Sequence, residues 1–126
     1  FFKDDLLKIK SMLEVSEGFK VVEEKDYFTK PKKSGYSGYH LIVEVPVKYE
    51  ETTFFVNVEI QLRTMAMDFW STLEHKTKYK AKYKISKFDS LKLICYAKII
   101  NKLDEKMAEI FKKQFEKKEK INYLYK

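Results

Sequence analysis

The chain has few of the residues that staple or interrupt small proteins. Cys95 is the only cysteine in 126 residues, so no internal disulfide can form. One cysteine and two histidines cannot build a zinc cluster. A lone thiol suits a reducing compartment, so a cytoplasmic location is expected. Within Leu91–Ala97 the thiol reads as a small, buried apolar side chain. With three glycines and two prolines there is no low-complexity linker, and no repeat is evident. No apolar run approaches the ~20 residues of a membrane span, and no signal peptide is visible, so no membrane partner is expected. No Gly-rich loop of Walker type is present, which argues against a P-loop NTPase. Arginine is almost missing: of 26 Lys+Arg, only Arg63 is arginine.

What is present describes one globular domain. Hydrophobic residues make up 44% and aromatics 16%, and a chain of this length buries roughly two thirds of its unfolded surface. Basic residues outnumber the 19 acidic ones, for a net charge of +7. That charge favours anionic ligands such as nucleotides, RNA or acidic membranes. The excess of lysine over arginine also fits a lysine-rich genome, so charge alone does not establish nucleic-acid binding. The chain opens on Phe1-Phe2 inside an amphipathic pattern, without Met, and reads as a fragment that lacks an N-terminal part.

Apolar spacing predicts a helix over Lys3–Glu14 (Leu6, Leu7, Ile9, Met12, Leu13) and a short strand over Phe19–Glu24. A loop over 26–37 contains Thr29-Lys30-Pro31-Lys32-Lys33-Ser34-Gly35-Tyr36. Two strands follow, from Gly38 to Pro46 and around Val56–Leu62, with a polar connection over Val47–Thr53. Pro46 either ends its strand or leaves it on an edge. Thr64 caps a helix running to about Lys80, with Met65, Phe69 and Leu73 on one face and Trp70 and Met67 beside it. A basic run (Lys76, Lys78, Lys80, Lys82, Lys84, Lys87) precedes a long helix over about 89–118. The stripe of that helix is Leu93, Ala97, Ile100, Leu103, Met107, Ile110 and Phe111. The order predicts an α+β domain with a mainly antiparallel sheet and flanking helices.

The two strands carry the chemistry. Burial requires Leu41, Val43 and Val45 to share a face with Val56, Val58, Ile60 and Leu62, because a one-residue slip would put one set in water. His40 then shares the opposite face with Glu59, Gln61 and Arg63, and Tyr36 enters at matching parity. A guanidinium fork binds phosphate or carboxylate bidentately, as lysine cannot. Glu59, on a rigid strand, suits either a magnesium ion or a proton taken from an attacking hydroxyl. Lys30, Lys32 and Lys33 supply charge for phosphates. Gly35 permits close backbone approach, and Tyr36 offers a stacking surface for a base.

Three ordered segments carry a resemblance. Lys32-Lys33-Ser34-Gly35-Tyr36-Ser37-Gly38-Tyr39-His40, Val58-Glu59-Ile60-Gln61-Leu62-Arg63-Thr64 and Met67-Asp68-Phe69-Trp70-Ser71-Thr72-Leu73-Glu74-His75-Lys76 resemble the synthetase domain of the RelA/SpoT family, most closely its small alarmone synthetases. The likeness runs from about Phe1 to Lys84, and the long last helix is compatible with it. It implies a nucleotidyltransferase-like α+β fold and a cytoplasmic, typically homotetrameric, magnesium-dependent pyrophosphokinase. That enzyme moves the β,γ-pyrophosphate of ATP to the 3′-hydroxyl of GDP or GTP. By this resemblance Tyr36 stacks on guanine, and Lys32, Ser34 and His40 contact the acceptor nucleotide. Glu59 helps to hold magnesium and activate the hydroxyl, and Gln61, Arg63 and His75 support the site. Where the family commonly reads Gly-Tyr-Arg-Ser or Gly-Tyr-Gln-Ser, this chain has Ser37 and Gly38. The family's basic ATP segment and an upstream metal-binding aspartate would lie before Phe1, so these 126 residues alone are expected to be inactive. Two alternatives stay open: a toxic relative acting on tRNA 3′ ends, and a non-catalytic nucleotide-binding remnant.

Overall fold

The computed structural model describes residues 2–79 and 84–124. In chain order it forms helix α1 (Lys3–Glu14), strands β1 (Lys20–Asp26), β2 (Tyr39–Tyr49) and β3 (Thr52–Leu62), then helices α2 (Met65–Tyr79) and α3 (Lys87–Leu124). The strands make one antiparallel sheet in the order β1-β2-β3. This is the expected α+β architecture.

Alternation fixes the sheet. Leu41, Val43 and Val45 pair with Ile60, Val58 and Val56, the register required by burial. Leu41 and Val43 are sealed completely, and with Leu6, Tyr39 and Leu62 they form the core. Burying a Leu or Val side chain contributes about 1.5–3 kcal/mol. In α1 only Leu6 and Leu13, two turns apart, reach this core, while Leu7, Ile9 and Met12 stay exposed. Val56 and Val58 also remain largely in water. The reason is length: a 12-residue helix is ~18 Å long and an 11-residue strand ~36 Å, so α1 cannot cover the far end of the hairpin.

Several boundaries differ from expectation. The polar connection over 47–53 shrinks to Glu50-Glu51, because the ladder continues to Tyr49 opposite Thr52. Glu50 adopts φ 53°, the left-handed geometry that tight hairpin turns demand. Pro46 lies inside β2, opposite Phe55. The β1 ladder starts only at Lys20–Glu44, so β2 has a free edge at Pro46, where a missing N–H costs nothing. β1 runs on to Asp26 after an irregularity between Val21 and Glu23, and this extension puts Lys25 opposite His40.

α2 buries the residues beside its expected apolar face, and α3 buries only the first part of its expected stripe. On α2, Met67 and Trp70 are buried, while Met65, Phe69 and Leu73 are exposed. The Trp70 indole N–H donates to the Leu93 carbonyl at 3.1 Å and fastens α2 to α3. On α3 the buried strip centres on Ala97, flanked by the half-buried Leu93 and Ile100; Leu103, Met107 and Ile110 face outward, and Phe111 packs its ring on Phe2 at 5.2 Å. Cys95 is exposed, contrary to expectation. Two residues from Ala97 is ~200° around the helix, which turns the thiol away from the body. Lys80 and Lys82 of the basic run lie outside the described residues.

Candidate functional site

The site is built on the sheet face opposite the core. It begins with a loop closed at its base. Asp26 accepts the backbone N–H groups of Phe28 (2.8 Å) and Thr29 (2.9 Å) and the Thr29 hydroxyl (2.6 Å). These bonds hold the Asp26 carboxyl below its ordinary value. The Tyr27 N–H donates to the Gly38 carbonyl at 2.9 Å, and the Ser37 hydroxyl donates to the Tyr27 carbonyl at 3.1 Å. Within the loop, Lys32 N–H bonds the Tyr36 carbonyl (2.9 Å) and Gly35 N–H bonds the Lys32 carbonyl (2.8 Å). Gly35 has φ 94°, a left-handed conformation that favours glycine.

From this loop a continuous chain of hydrogen bonds crosses the sheet. Tyr36 Oη lies 2.6 Å from His40 Nε2. His40 Nδ1 lies 2.8 Å from Glu59 Oε1. Gln61 Nε2 donates to Glu59 Oε2 at 2.7 Å, Arg63 Nη2 donates to Gln61 Oε1 at 2.6 Å, and Arg63 Nη1 donates to Ser71 Oγ at 2.9 Å. Asp68, at 3.1 Å, completes the surroundings of the arginine.

The protonation states follow from burial and bonding. His40 is only 5% exposed. Burial holds its pKa below the ordinary value, although Glu59 pulls the other way. Glu59 is held below its usual range by hydrogen bonds first from Gln61 and then from His40. Near neutral pH the imidazole is therefore neutral and the carboxylate ionised. One tautomer satisfies both neighbours: Nδ1–H donates to Glu59, and Nε2 accepts from the Tyr36 hydroxyl. Burial also raises the Tyr36 pKa, which keeps that hydroxyl a donor.

The faces of the Tyr36 ring carry cations. Lys32 Nζ is 5.1 Å from its centroid and 4.6 Å from that of Tyr27, and the Arg63 guanidinium is 5.8 Å from Tyr36. Tyr27 stands edge-on to both Tyr36 (5.9 Å) and His40 (5.3 Å). A Cβ on Gly38 would fall 2.9 Å from the Tyr36 hydroxyl, so the glycine makes room for the ring to fold back over the strand.

Of the residues singled out in the sequence, Lys32, Tyr36, His40, Glu59, Gln61 and Arg63 converge. The Ser34 hydroxyl accepts the Tyr36 N–H at 3.4 Å and so braces the turn. His75 is exposed on α2, one turn beyond Ser71. The Ser37 side chain is buried against Tyr27 and does not point along the face. Sequence reading missed Tyr27, Lys25, Asp68 and Ser71. Ending β1 at Glu24 hid the first two. The Thr64 cap, which places residues 68 and 71 in the first turns above Arg63, was a signal for the others.

Among the described residues no three His, Cys, Asp or Glu side chains cluster as a metal cage. Glu59 is 41% exposed at the side chain and offers carboxylate oxygen toward solvent. This donor set fits a magnesium ion held by one or two carboxylates and completed by substrate phosphates.

Fold and face together define an α+β domain that presents a hydrogen-bonded acid–imidazole–guanidinium array beside an aromatic ring. The chain belongs to the RelA/SpoT family: residues 1–84 match the model described as "Region found in RelA / SpoT proteins". It is similar to the GTP pyrophosphokinase YjbM of Bacillus subtilis, 41% identical over 109 residues, covering 86% of this chain and 52% of that protein. YwaC, another GTP pyrophosphokinase of that organism, is 41% identical over 111 residues, covering 88% and 53%. The chain thus spans about half the length of these curated relatives. Among solved structures, small alarmone synthetase 1 from Bacillus subtilis bound to its product pppGpp superposes with a TM-score of 0.85 at 40% identity, over 89% of this chain and 58% of that one. A GTP pyrophosphokinase family protein from Streptococcus pneumoniae gives 0.83 at 35% identity, over 91% and 60%.

Proposed function

We propose that this chain is the acceptor-nucleotide part of a GTP pyrophosphokinase, which moves the β,γ-pyrophosphate of ATP to the 3′-hydroxyl of GDP or GTP. The observation that carries this reading is the unbroken relay Tyr36–His40–Glu59–Gln61–Arg63 on one sheet face. The names of the relatives above support it. Guanine stacks on the Tyr36 ring in place of one of the cations now against it, and Lys32 turns to the nucleotide phosphates. The His40 Nδ1–H and the Gln61 amide hold the Glu59 carboxylate at a fixed angle. Glu59 accepts the proton of the 3′-hydroxyl as that oxygen forms its bond to the β-phosphorus of ATP and AMP departs. Its lowered pKa makes it a weak base in the ground state, so the proton moves as the new P–O bond develops. Glu59 would also offer an oxygen ligand to a magnesium ion, which would neutralise phosphate charge when bound. Arg63, buttressed by Ser71 and Asp68, fixes Gln61, and His75 borders the site from α2. We place this activity in the stringent response, in the cytoplasm and in a homo-oligomer, in keeping with a tetramer.

The test offers β,γ-labelled ATP with GDP and tRNA together to the protein that carries this chain. Label should appear in the guanosine nucleotide, and Glu59→Gln should lower the rate at least about 10²-fold with GDP affinity changed only modestly. Label on tRNA, or full turnover by Glu59→Gln, would overturn the reading.

A further inference from the structure

The loop that holds Lys32 and Tyr36 rests on α3, and its seat is built from the smallest side chains available. A Cβ added at Gly35 would fall 2.7 Å from the Ala97 Cβ, 3.4 Å from the Ile94 Cα and 3.5 Å from Trp70 Cζ2. The first two are unyielding: one is a methyl fixed to a helix backbone and the other is the backbone itself. Ala97 is 3% exposed. The Trp70–Leu93 hydrogen bond pins the third wall to the same turn of α3. The loop cannot absorb a shift at Gly35, because Gly35 and Lys32 are bonded through the turn and Lys32 is bonded to Tyr36. A displacement at the seat therefore passes to the Tyr36 ring and to its 2.6 Å contact with His40. α3 lies outside residues 1–84, the span matched by the family, and carries none of the candidate site residues.

We propose that Ala97 is a positioning residue for the guanine-nucleotide site: it sets the height of the Gly35 seat and thereby the pose of Lys32 and Tyr36. The inference rests on the nucleotide reading given above. Each carbon added at 97 lifts the loop off α3, tilts the stacking ring and lengthens its bond to His40. Displacements of about 1 Å suffice for large losses in a positioned site.

The experiment measures GDP binding to the protein that carries this chain by calorimetry for the wild type, Tyr36→Ala, Ala97→Val, Gly35→Ala and the double variant Gly35→Ala/Ala97→Gly. Ala97→Val should weaken GDP about tenfold. It should also move the His40 Hε1 resonance, which reports on the tyrosine hydroxyl, while a cooperative melt is retained. Gly35→Ala should weaken GDP by a similar factor, and Ala97→Gly in the same chain should restore part of it, since removing one methyl makes room for the other. General damage to packing would not produce that rescue. If Tyr36→Ala weakens GDP while Ala97→Val binds as the wild type, the positioning role is overturned and the nucleotide reading stands. If Tyr36→Ala binds GDP as the wild type does, the nucleotide reading itself falls. Should Ala97→Val fail to fold, the smaller Ala97→Ser is measured in its place and decides by the same comparison.

Discussion

At the scale of single residues, Asp26 shows how a site is held from the base of its loop. Its carboxylate gathers two backbone N–H groups and a hydroxyl at the mouth of the loop. Asp26→Ala should destabilise the chain by about 1 kcal/mol, the usual net worth of such bonds at an exposed turn. The pH dependence has a definite sign. The folded pKa is depressed below 3.8, so the contribution is full above that value and is lost as pH falls through the folded pKa. Denaturant melts of wild type and variant should therefore differ at pH 6 and converge toward pH 2. Equal separation at both pH values would show that the carboxylate charge is not what the turn uses. At this scale the sequence was most legible where parity decides. His40, Glu59, Gln61 and Arg63 had to share a face once Leu41 and Val43 were inside. Ser37 and Tyr27 were illegible, because loop side chains follow backbone turns and not a period.

At the scale of elements, β3 passes into α2 with no spare residues. Arg63 is the last residue of the polar array, and Thr64 next to it is buried and starts the helix, its Oγ1 accepting the Met67 N–H at 3.2 Å. The cap thus fixes the distance from the arginine to Ser71 and Asp68, its two partners on the first turns of α2. Thr64→Ala removes an N-cap and leaves a small void, and should cost about 1–2 kcal/mol. Thr64→Ser, which keeps the acceptor, should recover most of that. Thermal melts of the three proteins check this; an undiminished midpoint in Thr64→Ala would mean that packing alone holds the junction. The cap and the existence of every element were readable, since each has a local cause. Which part of each apolar face is buried was not. The apolar residues of α2 and α3 occupy more than half of each circumference, so period alone left two faces open. Tertiary contacts chose Met67–Trp70 over Met65–Phe69–Leu73, and on α3 they buried the first part of the expected stripe, around Ala97, and left its later part outside.

At the scale of the whole molecule, the apolar surface that packing leaves outside is the main unspent quantity. Tyr96, Ile99, Leu103, Met107 and Ile110 form one exposed stripe along α3, about a third of a turn around the helix from Ala97. Exposed apolar patches of this extent mark association surfaces. The stripe should mediate self-association of the chain, measurable by sedimentation velocity. Burying Leu103 and Ile110 is worth about 1.5–3 kcal/mol each, so Leu103→Glu/Ile110→Glu should raise the dissociation constant at least about 10²-fold. Salt separates the apolar mechanism from a polar one. The chain carries +7, so two copies repel, and screening that repulsion should tighten an apolar contact as salt rises from 0.05 to about 0.5 M. A contact made by lysine–glutamate pairs between copies would weaken over the same range. Weaker association at high salt, or an unchanged constant in the double variant, would assign the interface to another surface, such as the exposed Phe54, Phe55, Val56 and Val58 of β3.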